Sequence, residues 1–115
     1  MNLESVRNYC LSLKSTTESF PFDEETLVFK VNNKMFCLVN ITPPWSINLK
    51  CDPEKALELR EEYESVRPGY HMNKKYWNTV DLDGSIKTEV IKRWIKDSYD
   101  QVISGMSKKG QEKLK

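Results

Sequence analysis

The sequence predicts a two-layer α+β sandwich, in which an antiparallel sheet is covered on one face by N- and C-terminal helices. Apolar residues recur at helical spacing near both ends of the chain, and two β-rich runs joined by a pair of asparagines lie between them. The length of 115 residues suits one domain with a single core. We therefore expect one domain over residues 1–107, followed by a basic, frayed tail over residues 108–115.

The first helix is predicted from its cap and its apolar face. Asn2 can accept a hydrogen bond from the first turn, and a polar run ending in Pro21 excludes a longer helix. The residues expected on the buried face are Leu3, Val6, Tyr9, Cys10 and Leu13. This pattern indicates an amphipathic helix that packs on the sheet.

The next two elements are predicted to form a β-hairpin. The runs Thr26–Val31 and Lys34–Asn40 are rich in β-branched and aromatic residues, and only Asn32-Asn33 separates them. Asparagine tolerates the positive φ that both central positions of a type I′ turn require. The two strands should therefore pair in an antiparallel ladder.

The two-residue turn also predicts the faces of this hairpin. Phe29 should lie opposite Phe36, and Leu27 opposite Leu38, on the face that the helices cover. The other face should carry a second apolar set, which consists of Val28, Met35, Cys37 and Val39. We expect this second face either to add to the core or to serve a protein partner or a second copy of the chain.

A third strand and a second helix follow the hairpin. The strand Ser46–Lys50 should turn Ile47 and Leu49 inward, and Asp52-Pro53 should begin the helix with an N-cap and a first-turn proline. The inward residues of this helix are Ala56, Leu59 and Tyr63.

Two strands and a long helix complete the chain. Residues 69–72 are predicted as a short strand and residues 77–82 as the next one, closed by the Asp83-Gly84 turn. Ser85 should cap the last helix. The apolar stripe of that helix includes Ile86, Val90, Ile91, Trp94, Ile95, Val102 and Met106.

The composition restricts the classes of function. A net charge of +1 and a pI near 7.6 mean that any polyanion must bind to a local patch. No apolar run spans a bilayer, the N-terminus lacks a signal-peptide layout, and the glycines are too isolated for a phosphate loop. Three widely spaced cysteines without a Cys-x-x-Cys pair favour reduced thiols in the cytoplasm. We expect no membrane segment, no structural zinc and no cofactor.

One segment, RPGYHMNKKYWNTV at residues 67–80, has an unusual composition. It holds three cations, three aromatic residues and the only histidine of the chain, without any acid. Cations contact phosphates and aromatic rings stack on bases, so this pattern is typical of a nucleic-acid surface. The candidate binding residues are Lys50, Arg67, His71, Asn73, Lys74, Lys75 and Asn78. A structural interpretation stays open, in which Tyr70 and Trp77 pack in the core and the lysines are merely solvated.

Catalysis by His71 is not expected. Histidine acts as a general base near neutral pH, but it needs a nucleophile or an orienting carboxylate. The segment offers neither, and the spacing does not require Asp81 or Asp83 to approach. We therefore expect a protein that is not an enzyme.

Four phrases of the chain resemble the MmcQ/YjbR family. They are FPFDEETLVFKVNNKMFCLV, INLKCDPEKALELREEY, RPGYHMNKKYWNTV and SYDQV, in this order and spacing, so the resemblance extends from the first helix to about Met106. The resemblance implies a fold similar to that of CyaY, the bacterial frataxin. It also implies DNA binding, a label that members of the family commonly carry through structural analogy.

The likeness to frataxin raises iron binding, which would require acids along the first helix. Here Glu4 is the single acid of residues 2–15, so we expect no metal site. The sequence thus predicts a non-enzymatic binding module, with DNA as the candidate ligand of residues 67–77. The alternative is a protein-interaction or self-association module that uses the second sheet face.

Overall fold

The computed structural model of the protein describes residues 1–69 and 72–112. In chain order its elements are α1 (Leu3–Ser12), β1 (Thr16–Ser19), β2 (Thr26–Val31), β3 (Lys34–Asn40), β4 (Ser46–Lys50), α2 (Pro53–Glu62), β5 (Val66–Pro68), β6 (Trp77–Asp81), α3 (Thr88–Ser104) and α4 (Lys108–Glu112). The six strands form one antiparallel sheet in the order β1-β2-β3-β4-β6-β5. Helices α1, α2 and α3 pack on one face of this sheet, which confirms the predicted α+β class.

Two helix starts agree with the sequence. The Asn2 Oδ1 atom accepts a hydrogen bond from the Ser5 amide at 2.8 Å and so caps α1. The Asp52 carboxylate accepts from the first amides of α2, and Pro53 occupies the first helical position. Both caps satisfy N–H groups that have no partner within the helix.

The hairpin turn is confirmed, but the register beyond it is not. Asn32 and Asn33 both have positive φ, at 48° and 66°. A β-bulge then inserts Phe36, so Phe29 lies opposite Cys37. The predicted pairing of Phe29 with Phe36 is therefore wrong by one residue.

The bulge also corrects the predicted faces. Phe36 and Cys37 both point into the helix-side core, and every later side chain of β3 is turned over relative to the prediction. Val39 consequently joins the helix-side core, whereas Leu38 lies on the opposite face. Phe29 and Phe36 are both fully buried on the helix side, as predicted.

Ser98 of α3 completes the hydrogen bonding at the bulge. Its side chain is fully buried, and its hydroxyl donates to the Phe36 carbonyl at 2.5 Å. The same oxygen accepts from the Lys50 amide at 2.8 Å. One hydroxyl therefore satisfies two backbone groups at the point where the β3–β4 ladder ends.

Three element boundaries differ from the prediction. A short edge strand, β1, occupies part of the run interpreted as a helix break, and it pairs with β2. The strand expected at residues 69–72 lies earlier, at Val66–Pro68, and the Tyr70 and His71 portion of the predicted strand lies outside the described residues. Helix α3 begins at Thr88 rather than after Ser85, because Ser85 is held in a turn.

That turn is organised by Asp83. Its carboxylate accepts hydrogen bonds from the hydroxyls of Ser65 and Ser85 and from the Ser85 amide. These bonds lower the pKa of Asp83 to about 2, since they stabilise the ionised form.

The tail over residues 108–112 forms the short helix α4. None of the described helices is long and apolar enough to cross a membrane.

Replacement of Ser98 should test the bulge. Ser98→Ala removes the hydroxyl and leaves the Phe36 carbonyl and the Lys50 amide without a partner in the interior. We expect the free energy of unfolding to fall by about 2 kcal/mol or more, since each unsatisfied buried group costs about 1–3 kcal/mol. Urea denaturation followed by circular dichroism measures this change.

Ser104→Ala is the matched control for this variant. Ser104 lies on the same helix, but it is exposed and its hydroxyl only donates to the Gln101 carbonyl. Its replacement should change stability by less than about 0.5 kcal/mol. Equal effects of the two substitutions would contradict the bridging role of Ser98.

Candidate nucleic-acid interface

The sheet face opposite the helices carries a small second core. Val28 and Leu38 are buried there beneath Trp77, which is only 7% exposed. Partly buried residues that pack around these three are Met35, Met72 and Tyr76. The chain itself thus covers the apolar residues that the alternative interpretation reserved for a partner, and Trp77 is a core residue.

The lysine-bearing segment folds over this core as a compact turn. The Asn73 carbonyl accepts hydrogen bonds from the amides of Tyr76 and Trp77. The Asn73 side chain accepts from the Lys75 amide at 2.9 Å. Asn73 therefore shapes the turn through its oxygen atoms, and Lys74 and Lys75 project from it into solvent.

Arg60 fastens this turn to α2. Its guanidinium donates to the carbonyls of Lys74 and Trp77, and its Nε atom donates to Asn78 Oδ1 at 2.6 Å. Asn78 is 2% exposed and donates in turn to the Ala56 carbonyl at 3.2 Å. The buried Asn78 side chain thus links β6 to α2 by hydrogen bonds and is not accessible to a ligand.

Sequence reasoning did not identify Arg60. It lies in the last turn of a helix rich in charged residues, where an arginine ordinarily faces solvent. Its partners are two backbone carbonyls and the Asn78 side chain in a distant segment, and no local sequence pattern indicates such contacts. Only the tertiary placement of α2 beside β6 could reveal this contact.

Arg67 is separated electrostatically from the lysines. Its guanidinium forms a two-point ion pair with Asp81, with Nη2 and Oδ1 2.7 Å apart. The hydrogen bond to Asp81 raises the pKa of Arg67. A phosphate would have to compete with this carboxylate, so the structure does not present Arg67 as a free cation.

Lys50 and Lys75 converge on the ring of Tyr76. Their ammonium nitrogens lie 6.0 Å and 5.6 Å from the ring centroid. Neither forms an ion pair with any residue in the described part of the chain. The structure therefore brings Lys50 and Lys75 together at Tyr76. These three residues and the exposed Lys74, which precedes Lys75 in the sequence, are named here the Tyr76 cluster, whereas His71 lies outside the described residues.

A cavity of about 410 Å³ lies on the other side of the sheet, between α2 and α3. Cys51 borders it, and burial raises the pKa of this thiol to about 11, with a further contribution from the charge of Asp52. Within residues 1–69 and 72–112, no three side chains of His, Cys, Asp or Glu are grouped so that they could hold a metal ion.

The thiol of Cys51 should consequently react slowly. At pH 8 a group with a pKa near 11 is ionised in roughly one molecule in a thousand, against about one in four for an ordinary thiol. We expect alkylation by iodoacetamide to be roughly a hundredfold slower than that of free cysteine, and to accelerate as the pH rises towards 11. Mass spectrometry of the Cys51 peptide measures the rate, and a rate near that of free cysteine at pH 8 would contradict the raised pKa.

Loss of the Arg60 contacts should loosen the lysine turn. Arg60→Met retains much of the side-chain volume but removes all three hydrogen bonds. We expect faster hydrogen exchange at residues 73–77 and a loss of about 1–3 kcal/mol in stability, because Asn78 and the Trp77 carbonyl lose a donor.

Arg93→Met is the control for this substitution. Arg93 is exposed on α3 and makes no hydrogen bond or ion pair with a described residue. Its replacement should leave exchange at residues 73–77 unchanged. Unaltered exchange in Arg60→Met as well would show that the turn does not depend on Arg60.

Comparison with known proteins identifies relatives that match most of the chain. The protein YbdF of Escherichia coli O157:H7 is 35% identical over 113 residues, which are 97% of this chain and 93% of that protein. The protein YjbR of Escherichia coli K12 is 31% identical over 105 residues, which are 90% of this chain and 89% of that protein. The match with YbdF thus extends over almost the whole chain.

Solved structures show the same fold. Protein DR2400 of Deinococcus radiodurans, described as a DUF419 domain, has a TM-score of 0.92 and 40% identity over 98% of this chain and 87% of its own. A protein from Pseudomonas syringae has a TM-score of 0.78 and 27% identity, covering 89% of this chain and 99% of its own. The YjbR family model matches residues 11–101. This chain therefore belongs to the YjbR family.

Proposed function

We propose that this protein is a non-enzymatic module that binds DNA, in single-stranded form, through the Tyr76 cluster. The convergence of the Lys50 and Lys75 ammonium groups over one ring carries this proposal. Both groups lack an acidic partner among the described residues, so a phosphate can take that place without displacing a carboxylate. Lys74 adds a third exposed cation beside them.

The single strand is favoured by the shape of this face. Helices α1, α2 and α3 pack on the opposite side of the sheet, so none of them projects from the lysine face into a major groove. An open sheet surface instead suits unstacked bases, with cations along the phosphates. Binding should be weak, because a net charge of +1 supplies little long-range attraction.

A binding role also suits the chemistry of the Tyr76 cluster. It offers ammonium groups and a phenol ring, and its described residues include no thiol or carboxylate to act as nucleophile or base. The thiols of Cys10, Cys37 and Cys51 are free, and free thiols are typical of proteins in the reducing cytoplasm. We therefore place its DNA binding in that compartment and assign it no reaction.

Salt dependence provides the direct test. Each phosphate contact with a single strand contributes about 0.7 to the slope of log affinity against log salt, so three lysines predict a slope of about −2. The triple variant with Lys50, Lys74 and Lys75 each replaced by Gln should bring this slope close to zero. Fluorescence anisotropy with a labelled oligonucleotide at several salt concentrations measures it.

The control replaces three exposed lysines elsewhere, Lys14, Lys87 and Lys109, with Gln. It removes the same charge, so a similar loss would indicate general electrostatic attraction rather than a site. Solvated lysines contribute little to folding, so both variants should retain wild-type stability. No binding by the wild type at tens of micromolar protein in low salt, with single or double strands, would refute the proposal.

A further inference from the structure

A polar groove of about 690 Å³ adjoins the Tyr76 cluster on the same sheet face. Its floor crosses the middle of the sheet, where Asn40 and Ser46 face each other on β3 and β4, and Asn48 faces Thr79 on β4 and β6. Apolar side chains, of Phe22, Leu38 and Met72, also line it.

Two side-chain amides of this floor are oriented by the protein. Asn48 Oδ1 accepts a hydrogen bond from the Thr79 hydroxyl at 2.6 Å. Asn40 Oδ1 accepts from the Thr42 amide at 3.3 Å. Both oxygens are thus engaged, and neither NH2 group bonds to an acceptor in the described part of the chain. The groove therefore presents donors to a ligand.

The groove also contains charged groups of both signs, since the carboxylates of Asp23 and the exposed Glu25 line it together with Arg67. Arg67 adds a guanidinium, although two of its nitrogens bond to Asp81. The Asp23 carboxylate is occupied by the amides of Glu25 and Thr26, and these bonds lower its pKa. Phe22, which is 63% exposed, provides an apolar wall on the rim. A flat ligand with acceptors on its edge and an apolar face matches these features.

The groove and the lysines are close enough to share one ligand. Asn48 and Lys50 lie two residues apart on the same face of β4, which is about 7 Å. Thr79 and Trp77 have the same relation on β6. Met72 lines the groove and also packs in the second core beneath the Tyr76 cluster. A base in the groove can therefore belong to a strand whose phosphates lie at the lysines.

We propose that the groove receives one unstacked base with carbonyl acceptors on its edge, such as thymine or uracil, through the NH2 groups of Asn40 and Asn48. This inference rests on the proposed strand binding and adds a preference to it. An adenine edge offers an amino donor where thymine offers a carbonyl, so it satisfies two donors less well. Oligothymidylate should bind more tightly than oligoadenylate of equal length, although adenine stacks more strongly.

Nucleosides test the groove without the phosphates. In isotope-labelled wild-type protein, millimolar thymidine should shift the NMR signals of the Asn40 and Asn48 side-chain NH2 groups, and deoxyadenosine should shift them less. The nucleoside carries no phosphate, so the lysines play no part in this response. Absence of such shifts with thymidine, and equally with an oligothymidylate that binds, would overturn the inference and leave the lysine contact standing.

A variant tests the preference itself. Asn48→Leu keeps the approximate shape but removes the donor, so oligothymidylate affinity should fall about threefold to tenfold while the salt slope stays unchanged. Asn8→Leu, at an exposed position of α1, should have no effect. A thymidine response without oligonucleotide binding would support the groove and refute the lysine contact, whereas unchanged affinity in Asn48→Leu would overturn the role of the groove.

Discussion

The β-bulge at Phe36 is the constraint on which both faces of the sheet depend. It places two successive residues, Phe36 and Cys37, in the helix-side core and sends Leu38 to the other face. The β3–β4 ladder ends beside the bulge, and there the buried hydroxyl of Ser98 bonds to both the Phe36 carbonyl and the Lys50 amide. Helix α3 is thereby tied by hydrogen bonds, in addition to packing, to the strands that form the centre of the sheet.

The same bulge creates the support for the lysine turn. Because Leu38 lies beside Val28 on the second face, these two residues form an apolar platform that Trp77 covers. Tyr76 packs against these residues, and the ammonium groups of Lys50 and Lys75 lie over its ring. The position of the cations thus depends on a backbone irregularity in a strand that carries neither of them.

The second face is consequently divided into two parts with different chemistry. At one end the chain covers its own apolar residues and displays above them ammonium groups that have no acidic partner in the described part of the chain. In the middle of the sheet it leaves a groove of amides and hydroxyls whose oxygens are partly used within the protein. Arg67, which lines that groove, is paired with Asp81, whereas Lys50 and Lys75 at the other end have no ion pair among residues 1–69 and 72–112.

Local chemistry in the sequence determined the elements whose formation depends on neighbouring residues. Asn32-Asn33 can adopt positive φ, and Asp52-Pro53 can begin a helix, whatever the rest of the chain does. The α+β class followed from such signals together with the helical spacing at both ends. The sequence also indicated Lys74 and Lys75 as candidate binding residues, because they stand in a segment without acids.

Tertiary structure alone decided which face each residue of β3 occupies and which cations remain unpaired. A bulge shifts the register through a single residue, and Ser98, whose hydroxyl bonds to the Phe36 carbonyl, lies 62 positions away in the sequence. Arg67 is paired with Asp81, and the buried Asn78 bonds to Arg60, through contacts between strands and helices that no local pattern indicates. Ion pairing and burial depend on distances across the fold. For this reason the sequence could indicate Arg67 and Asn78 as candidate binding residues but could not show that one is paired and the other buried.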